Sequence, residues 1–205
     1  TWHLYNPHTS SRARTRRSED KALTLMTNQY SVSLVGAGYI ASFHLDALGL
    51  LPRVKVTSVC APDLARAKSF AARWKIPDVY PSVDELIASR GADVAHVLVP
   101  PDLHRRVAEP LLEAGIHVLL EKPLAVSSGE CRALVEAARR GGARLGVNHN
   151  ATFRPAFLRL KEKIAAREFG GLRHLICHLN VPLRQLAARQ FSHWMFRRPQ
   201  NIVLE

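Results

Sequence analysis

A glycine-rich motif is the strongest chemical signal in this sequence. The motif reads GAGYIA at residues 36–41 and lies between a short β-type run and a stretch with helical character. Gly36 allows a tight turn, Gly38 lets the backbone approach a pyrophosphate, and Ala41 still permits close packing of helix on strand. The start of such a helix offers N–H groups and a positive dipole to phosphate oxygens. The motif therefore predicts a dinucleotide site, with a plain glycine-rich turn as the weaker alternative.

The end of the second predicted strand lacks the carboxylate that would hold the ribose hydroxyls of NAD. Ala61 occupies that place, and Asp63 fits better as the cap of the following helix. Without a carboxylate a 2′-phosphate is not repelled, so both NAD and NADP stay open as cofactors. Arg66 and Lys68 could favour the phosphate, although a solvated position is the simpler interpretation of both.

Two further motifs follow predicted buried strands. They are VPPDLH at 99–104 and Glu121-Lys122-Pro123. Both lie beyond the carboxyl ends of strands, where ligands bind in open α/β sheets. Lys122 could place a cation beside a substrate oxygen whose charge changes during hydride transfer. Each motif alone is common. The alternatives are a surface charge for Lys122 and a capping or packing role for His104.

Strands and helices alternate over residues 30–148. This alternation predicts an α/β fold of Rossmann type, with a doubly wound parallel sheet. The strands are predicted at 31–35, 54–60, 94–99, 116–120 and 144–147, and the helices at 39–50, 62–74, 82–89, 102–114 and 127–140.

The two ends of the chain differ from this pattern. Residues 1–29 are rich in Arg, Ser and Thr without an apolar period, which predicts a disordered basic tail. Residues 149–205 begin with a helical stretch at 153–167. A partly alternating run at 172–181 then predicts an open antiparallel strand. The chain ends directly after Ile202-Val203-Leu204, so we interpret 149–205 as an incomplete, truncated α+β second domain.

Composition excludes several classes of protein. The 205 residues carry a net charge of +12, but only +2 of it falls in residues 30–150, so a dedicated nucleic-acid domain ranks low. No apolar run reaches the roughly 18–20 residues of a membrane span. The three cysteines form no CxxC pair, so no metal site is predicted.

Taken together, the motifs resemble the Gfo/Idh/MocA family, relatives of glucose–fructose oxidoreductase and inositol dehydrogenase. The resemblance runs from about Ser31 to Glu205. The residues that carry it are GAGYIA at 36–41 with His44, PPDLH at 100–104, AGIHVLLEKPLA at 114–125 and VNHNATFRPAF at 147–157.

The resemblance implies a cytoplasmic NAD(P)-dependent oxidoreductase that acts on a secondary alcohol of a sugar or cyclitol. Lys122 would be its active-site lysine and contact the substrate together with His149 and Asn150. The catalytic histidine would lie just beyond Glu205. A homo-oligomer of the full-length parent stays open, and no metal is implied. The expected cofactor contacts are Gly36, Gly38, Tyr39, Ile40, Ala41, Pro100, Pro101, His104 and Glu121.

The sequence departs from the family at Ala61, where an acidic or NADP-adapted residue is usual, and at Thr152, where many members carry Arg or Tyr. Three alternatives to the dehydrogenase stay open. One is imine-reducing or biliverdin-reductase-like chemistry on the same fold. The others are a non-catalytic dinucleotide-binding module and an inert truncation product.

Overall fold

A computed structural model describes residues 29–176, residue 178 and residues 182–196. Residues 1–28 of the tail predicted at 1–29 lie outside this range, as do the last residues, 197–205. The strands are β1 (Tyr30–Val35), β2 (Val54–Cys60), β3 (Asp78–Tyr80), β4 (Val94–Val97), β5 (His117–Leu120) and β6 (Leu145–Val147). The helices are α1 (Tyr39–Leu48), α2 (Leu64–Trp74), α3 (Val83–Ser89), α4 (His104–Glu113), α5 (Ser128–Gly141), α6 (Pro155–Ala165) and α7 (Arg184–Ala187).

The six strands form one parallel sheet in the order β3-β2-β1-β4-β5-β6. The strand order reverses between β1 and β4, and ligands of doubly wound sheets bind in the crevice at such a reversal. The predicted Rossmann-type fold is confirmed. Sequence analysis missed β3, because three residues are too short to show an alternating pattern.

Apolar side chains cover both faces of the sheet. On one face α1 and α2 pack against β1 and β2 through small alanines, which let the helices approach closely. On the other face α4 and α5 pack against β4 and β5. The largest fully buried side chains of the two layers include Leu34, Val59, Leu86, Val97, Leu111, Leu112, Leu120 and Leu134.

Local signals set the helix ends. Asp63 Oδ1 accepts a hydrogen bond from the backbone N–H of Arg66 at 3.0 Å, as its predicted capping role requires. Gly142, at φ 65°, adopts the left-handed conformation that ends α5. The preceding Gly141 has a different role, since a Cβ there would lie 1.9 Å from the carbonyl oxygen of Leu112 in α4.

The residues after β6 are more exposed than the sheet domain. A 3₁₀ turn at Asn150–Phe153 leads into α6, and the ring of Phe157 in that helix is 47 % exposed. The strand predicted at 172–181 is wrong for residues 172–176, which lie in irregular backbone. Alternation alone does not make a strand, because a strand needs a neighbour to accept its hydrogen bonds. Within the described ranges, no helix is long and apolar enough to cross a membrane.

Candidate cofactor and active site

The glycine loop joins β1 to α1 at the point where the strand order reverses. Gly36 has φ 117°, and its N–H donates to the carbonyl of Cys60 at 2.9 Å. A Cβ at Gly36 would lie 2.9 Å from the carbonyl oxygen of Leu98, so only glycine lets this turn pass β4.

Gly38 has a different environment. It is the N-cap of α1 and supplies no side-chain hydrogen bond to the first turn, which continues through Tyr39, Ile40 and Ala41. A Cβ at Gly38 would meet no atom within 4 Å. Open space therefore faces the positive end of the helix dipole, and the residues present fit a pyrophosphate.

An arginine of α2 contacts the glycine loop near the end of β2. Arg66 Nε donates to the carbonyl of Ala37 at 3.1 Å, which holds this side chain against the glycine loop. Arg66 and Lys68 are both exposed, as the simpler interpretation has them, and Arg66 adds this one hydrogen bond to the loop. Ala61 stands at the end of β2, as the sequence predicts.

His104 lies behind the loops that follow β4 and β5. Its ring is fully buried, with Nδ1 at 2.9 Å from the carbonyl oxygen of Pro123 and Nε2 at 2.9 Å from that of Val99. Burial lowers the pKa of His104 below its usual value and outweighs the hydrogen bonds to these carbonyls, which raise it. The His104 ring therefore joins the loop after β4 to the loop after β5. A fully buried side chain has no surface to offer a cofactor, so we correct the predicted contact to this loop-joining role.

The prolines of the same loop differ in exposure. Pro100 is half-buried, while Pro101 is buried and opens the 3₁₀ turn Pro101–Leu103 that precedes α4. Pro100 keeps a surface that a cofactor could touch. For Pro101 the packing role is the one that the structure supports.

Glu121 is held by three donors at the end of β5. Its Oε1 accepts from His44 Nε2 at 2.8 Å and from Asn148 Nδ2 at 2.6 Å, and its Oε2 accepts from the backbone N–H of Lys122 at 3.3 Å. Burial raises the pKa of the Glu121 carboxyl, but the hydrogen bonds outweigh burial and hold that pKa below its usual value. The carboxylate is therefore ionised and already paired. Its side chain is still 15 % exposed, so the predicted contact with the cofactor stays a prediction beside the hydrogen bond to the Lys122 peptide.

The two predicted substrate segments emerge side by side. β5 and β6 are neighbours, and the N–H of Asn148 donates to the carbonyl of Leu120 at 2.8 Å. Lys122 thus follows one strand while His149 and Asn150 follow the next. Lys122 is half-buried, and both His149 and Asn150 are exposed. A cation, an imidazole and an amide at one sheet edge can contact the hydroxyl groups of a small polar molecule.

Sequence analysis missed two members of this site. Asn148 appeared only inside a longer motif, and His96 was taken as part of an apolar strand. A histidine in the middle of a strand otherwise built from Val and Ala was the available signal, because a buried imidazole needs a hydrogen-bond partner.

The fold and the glycine loop define an NAD-binding Rossmann domain. Residues 30–149 match a family model described as "Oxidoreductase family, NAD-binding Rossmann fold". The chain belongs to this family, Gfo/Idh/MocA, as the motifs predicted.

Curated and structural relatives agree with this assignment. Trans-1,2-dihydrobenzene-1,2-diol dehydrogenase of Sus scrofa is 37 % identical over 142 residues, covering 68 % of this chain and 42 % of the relative. The crystal structure of GenD2 from gentamicin A biosynthesis in complex with NAD is 32 % identical, with a TM-score of 0.65, covering 70 % of this chain and 41 % of that one. The WlbA dehydrogenase of Bordetella pertussis, in complex with NADH and UDP-GlcNAcA, is 25 % identical with a TM-score of 0.66, covering 70 % and 44 %. This chain therefore spans less than half the length of the relatives it matches.

Proposed function

We propose that this chain carries the cofactor domain, and the beginning of the substrate domain, of an NAD(P)-dependent dehydrogenase. The substrate would be a secondary alcohol on a sugar, cyclitol or comparable small ring. Residues 30–148 would bind the cofactor and residues 149–205 would belong to the substrate domain. The main support is the open space at Gly38, together with the neighbouring strand ends that carry Lys122 and His149.

Each residue would have a simple physical task. A bound nicotinamide supplies the hydride acceptor or donor. The Lys122 ammonium stabilises negative charge on the substrate oxygen, while His149 and Asn150 hydrogen-bond to neighbouring hydroxyls. The hydroxyl proton needs a base within hydrogen-bond reach, and His149 is the first described residue to test for that role.

Lys122→Met is expected to lower kcat by about 10²–10³-fold, because it removes the cation that faces the developing charge. Affinity for NADH should change little, since Lys122 would act on the substrate. The measurement is steady-state turnover of the full-length protein on a panel of sugars, cyclitols and dihydrodiols, with NADH titrated separately. Lys161→Met, an exposed lysine in α6, is the matched control. Equal turnover of Lys122→Met and the control would reject Lys122 as the active-site lysine.

Cofactor choice gives a second prediction. Preference for NAD over NADP should be weak or reversed, because Ala61 provides no carboxylate and Arg66 lies against the glycine loop. Arg66→Ala should weaken NADPH binding by about tenfold or more, the range for a charge-assisted hydrogen bond, and NADH binding much less. Fluorescence titration of both reduced cofactors measures this.

The control for cofactor choice is Arg73→Ala, which removes an arginine that lies over the Trp74 ring at the other end of α2. An equal loss of NADH and NADPH affinity in Arg66→Ala would mean that Arg66 only supports the loop. Strong selectivity for NAD that disappears in Asp63→Ala would show that Asp63, and not Arg66, reads the ribose.

A further inference from the structure

One buried histidine in the sheet belongs to none of the motifs that the proposed function uses. His96 is on β4, where its neighbours in register are Leu34 on β1 and Leu119 on β5. It is only 8 % exposed. Burying an unpaired imidazole would destabilise the fold, so its hydrogen bond should identify its role.

The partner of His96 is a second histidine. His96 Nδ1 lies 2.9 Å from Nδ1 of His44 on α1, and the two rings meet edge to face with an interplanar angle of 81°. The other nitrogen of His44, Nε2, lies 2.8 Å from Glu121 Oε1. A continuous line of hydrogen bonds therefore runs from His96 through His44 and Glu121 to the backbone N–H of Lys122.

The protons in this line follow from the groups themselves. Ionised Glu121 can only accept, so His44 Nε2 must carry a proton and donate it. The contact between the two Nδ1 atoms then holds one proton, because two lone pairs or two N–H groups at 2.9 Å would repel. Either a neutral His44 accepts from His96, or a protonated His44 donates to it. In both cases the proton on His44 Nε2 is retained.

We propose that His96 is a positioning residue that pairs with Nδ1 of His44, fixes the orientation in which His44 Nε2 donates to Glu121, and thereby holds the Glu121 carboxylate against the Lys122 peptide. Its relevance to catalysis rests on the proposed function, in which Lys122 faces the substrate. The hydrogen-bonded line itself does not depend on that function.

An apolar side chain of similar volume shows why an imidazole is needed. Leucine at position 96 would fill the space but leave Nδ1 of His44 without a partner. That unsatisfied buried acceptor favours a turn of the His44 ring, which breaks the Nε2 bond to Glu121 and only then frees the proton to occupy either nitrogen. Asparagine at position 96 carries an amide near the place of Nδ1, and an amide can either donate or accept.

The test is ¹⁵N NMR of the histidine rings in the whole chain, without cofactor. In the wild type we expect His44 Nε2 to be protonated at neutral pH. His96→Leu should shift both His44 nitrogens towards a mixture of tautomers and raise the amide exchange rate of Lys122 by about tenfold, equivalent to the loss of one hydrogen bond. His96→Asn should restore both signals towards the wild type.

Ser33→Ala is the matched control, because it removes a buried hydroxyl on the neighbouring strand that has no hydrogen-bond partner in the described residues. It should change neither signal. An unprotonated His44 Nε2 in the wild type would overturn the proposal, and so would an unchanged His44 spectrum in a folded His96→Leu. If His96→Leu does not fold, His96→Asn decides: a mixed-tautomer spectrum in that variant also overturns it. Since no cofactor or substrate is present, these outcomes are independent of whether the proposed function holds.

Discussion

Replacing Gly38 by valine is expected to abolish detectable binding of NADH and NADPH while leaving the fold intact. A Cβ at this position meets no atom within 4 Å, so the side chain is accommodated by the protein itself. The same open space is where a pyrophosphate would approach the start of α1. The branched side chain should lower affinity by at least about 100-fold, or about 3 kcal/mol.

Gly36→Val is also expected to lose cofactor binding, but because the fold itself has no room for the side chain. Gly36 has φ 117°, and its Cβ would lie 2.9 Å from a backbone oxygen of Leu98. The conformational strain alone is about 1–3 kcal/mol, and the clash adds to it. This variant should therefore lose thermal stability as well as binding.

Titration of cofactor fluorescence and a thermal melt of each variant separate the two effects. Gly171→Val is the control for Gly38→Val, because its Cβ also meets no atom within 4 Å but it lies outside the glycine loop. It should keep both stability and affinity. Unchanged cofactor affinity in Gly38→Val would show that the loop does not bind the pyrophosphate.

Gly36 and Gly38 show which structural roles can be predicted from the sequence. The motif predicted a tight turn at Gly36 and a close approach at Gly38, and both roles depend on backbone chemistry that neighbouring residues reveal. Gly141 shows the limit. It follows the predicted helix end at residue 140, yet it lies within α5 and lets that helix pass α4. The contact joins residues distant in sequence, so no local pattern encodes it.

The same limit applies to the site. The predicted ends of the strands correctly placed Lys122 and His149 at the same edge of the sheet. Hydrogen-bond partners were not predictable, because His44 is 52 residues from His96 and 77 residues from Glu121 in the sequence. The resemblance included His44 and Glu121 in its motifs, but only the folded chain shows that they are paired. That pairing gives Glu121 a support role for Lys122 in addition to its predicted cofactor contact.

Acid should destabilise this protein through His96 in a defined pH range. Burial, reinforced by the charge of His44 and opposed by Glu121, lowers the pKa of His96 to about 4 from 6.5. In the unfolded chain His96 takes up a proton near its ordinary pKa, whereas in the folded chain it stays neutral until about pH 4. The unfolded state therefore binds more protons between these values, and the free energy of unfolding falls as the pH drops from about 6.5 to about 4.

The full contribution is about 3 kcal/mol, from 1.36 kcal/mol per pKa unit. Urea unfolding at a series of pH values measures it. His96→Leu cannot take up the proton, so its stability should fall less steeply over this range. Ser33→Ala should keep the wild-type slope, because it changes a buried polar group that does not titrate. Parallel curves for wild type and His96→Leu would mean that His96 does not titrate differently in the folded chain. The shallower curve expected for His96→Leu would instead show that burial holds the imidazole neutral in the folded chain, although this costs stability in acid.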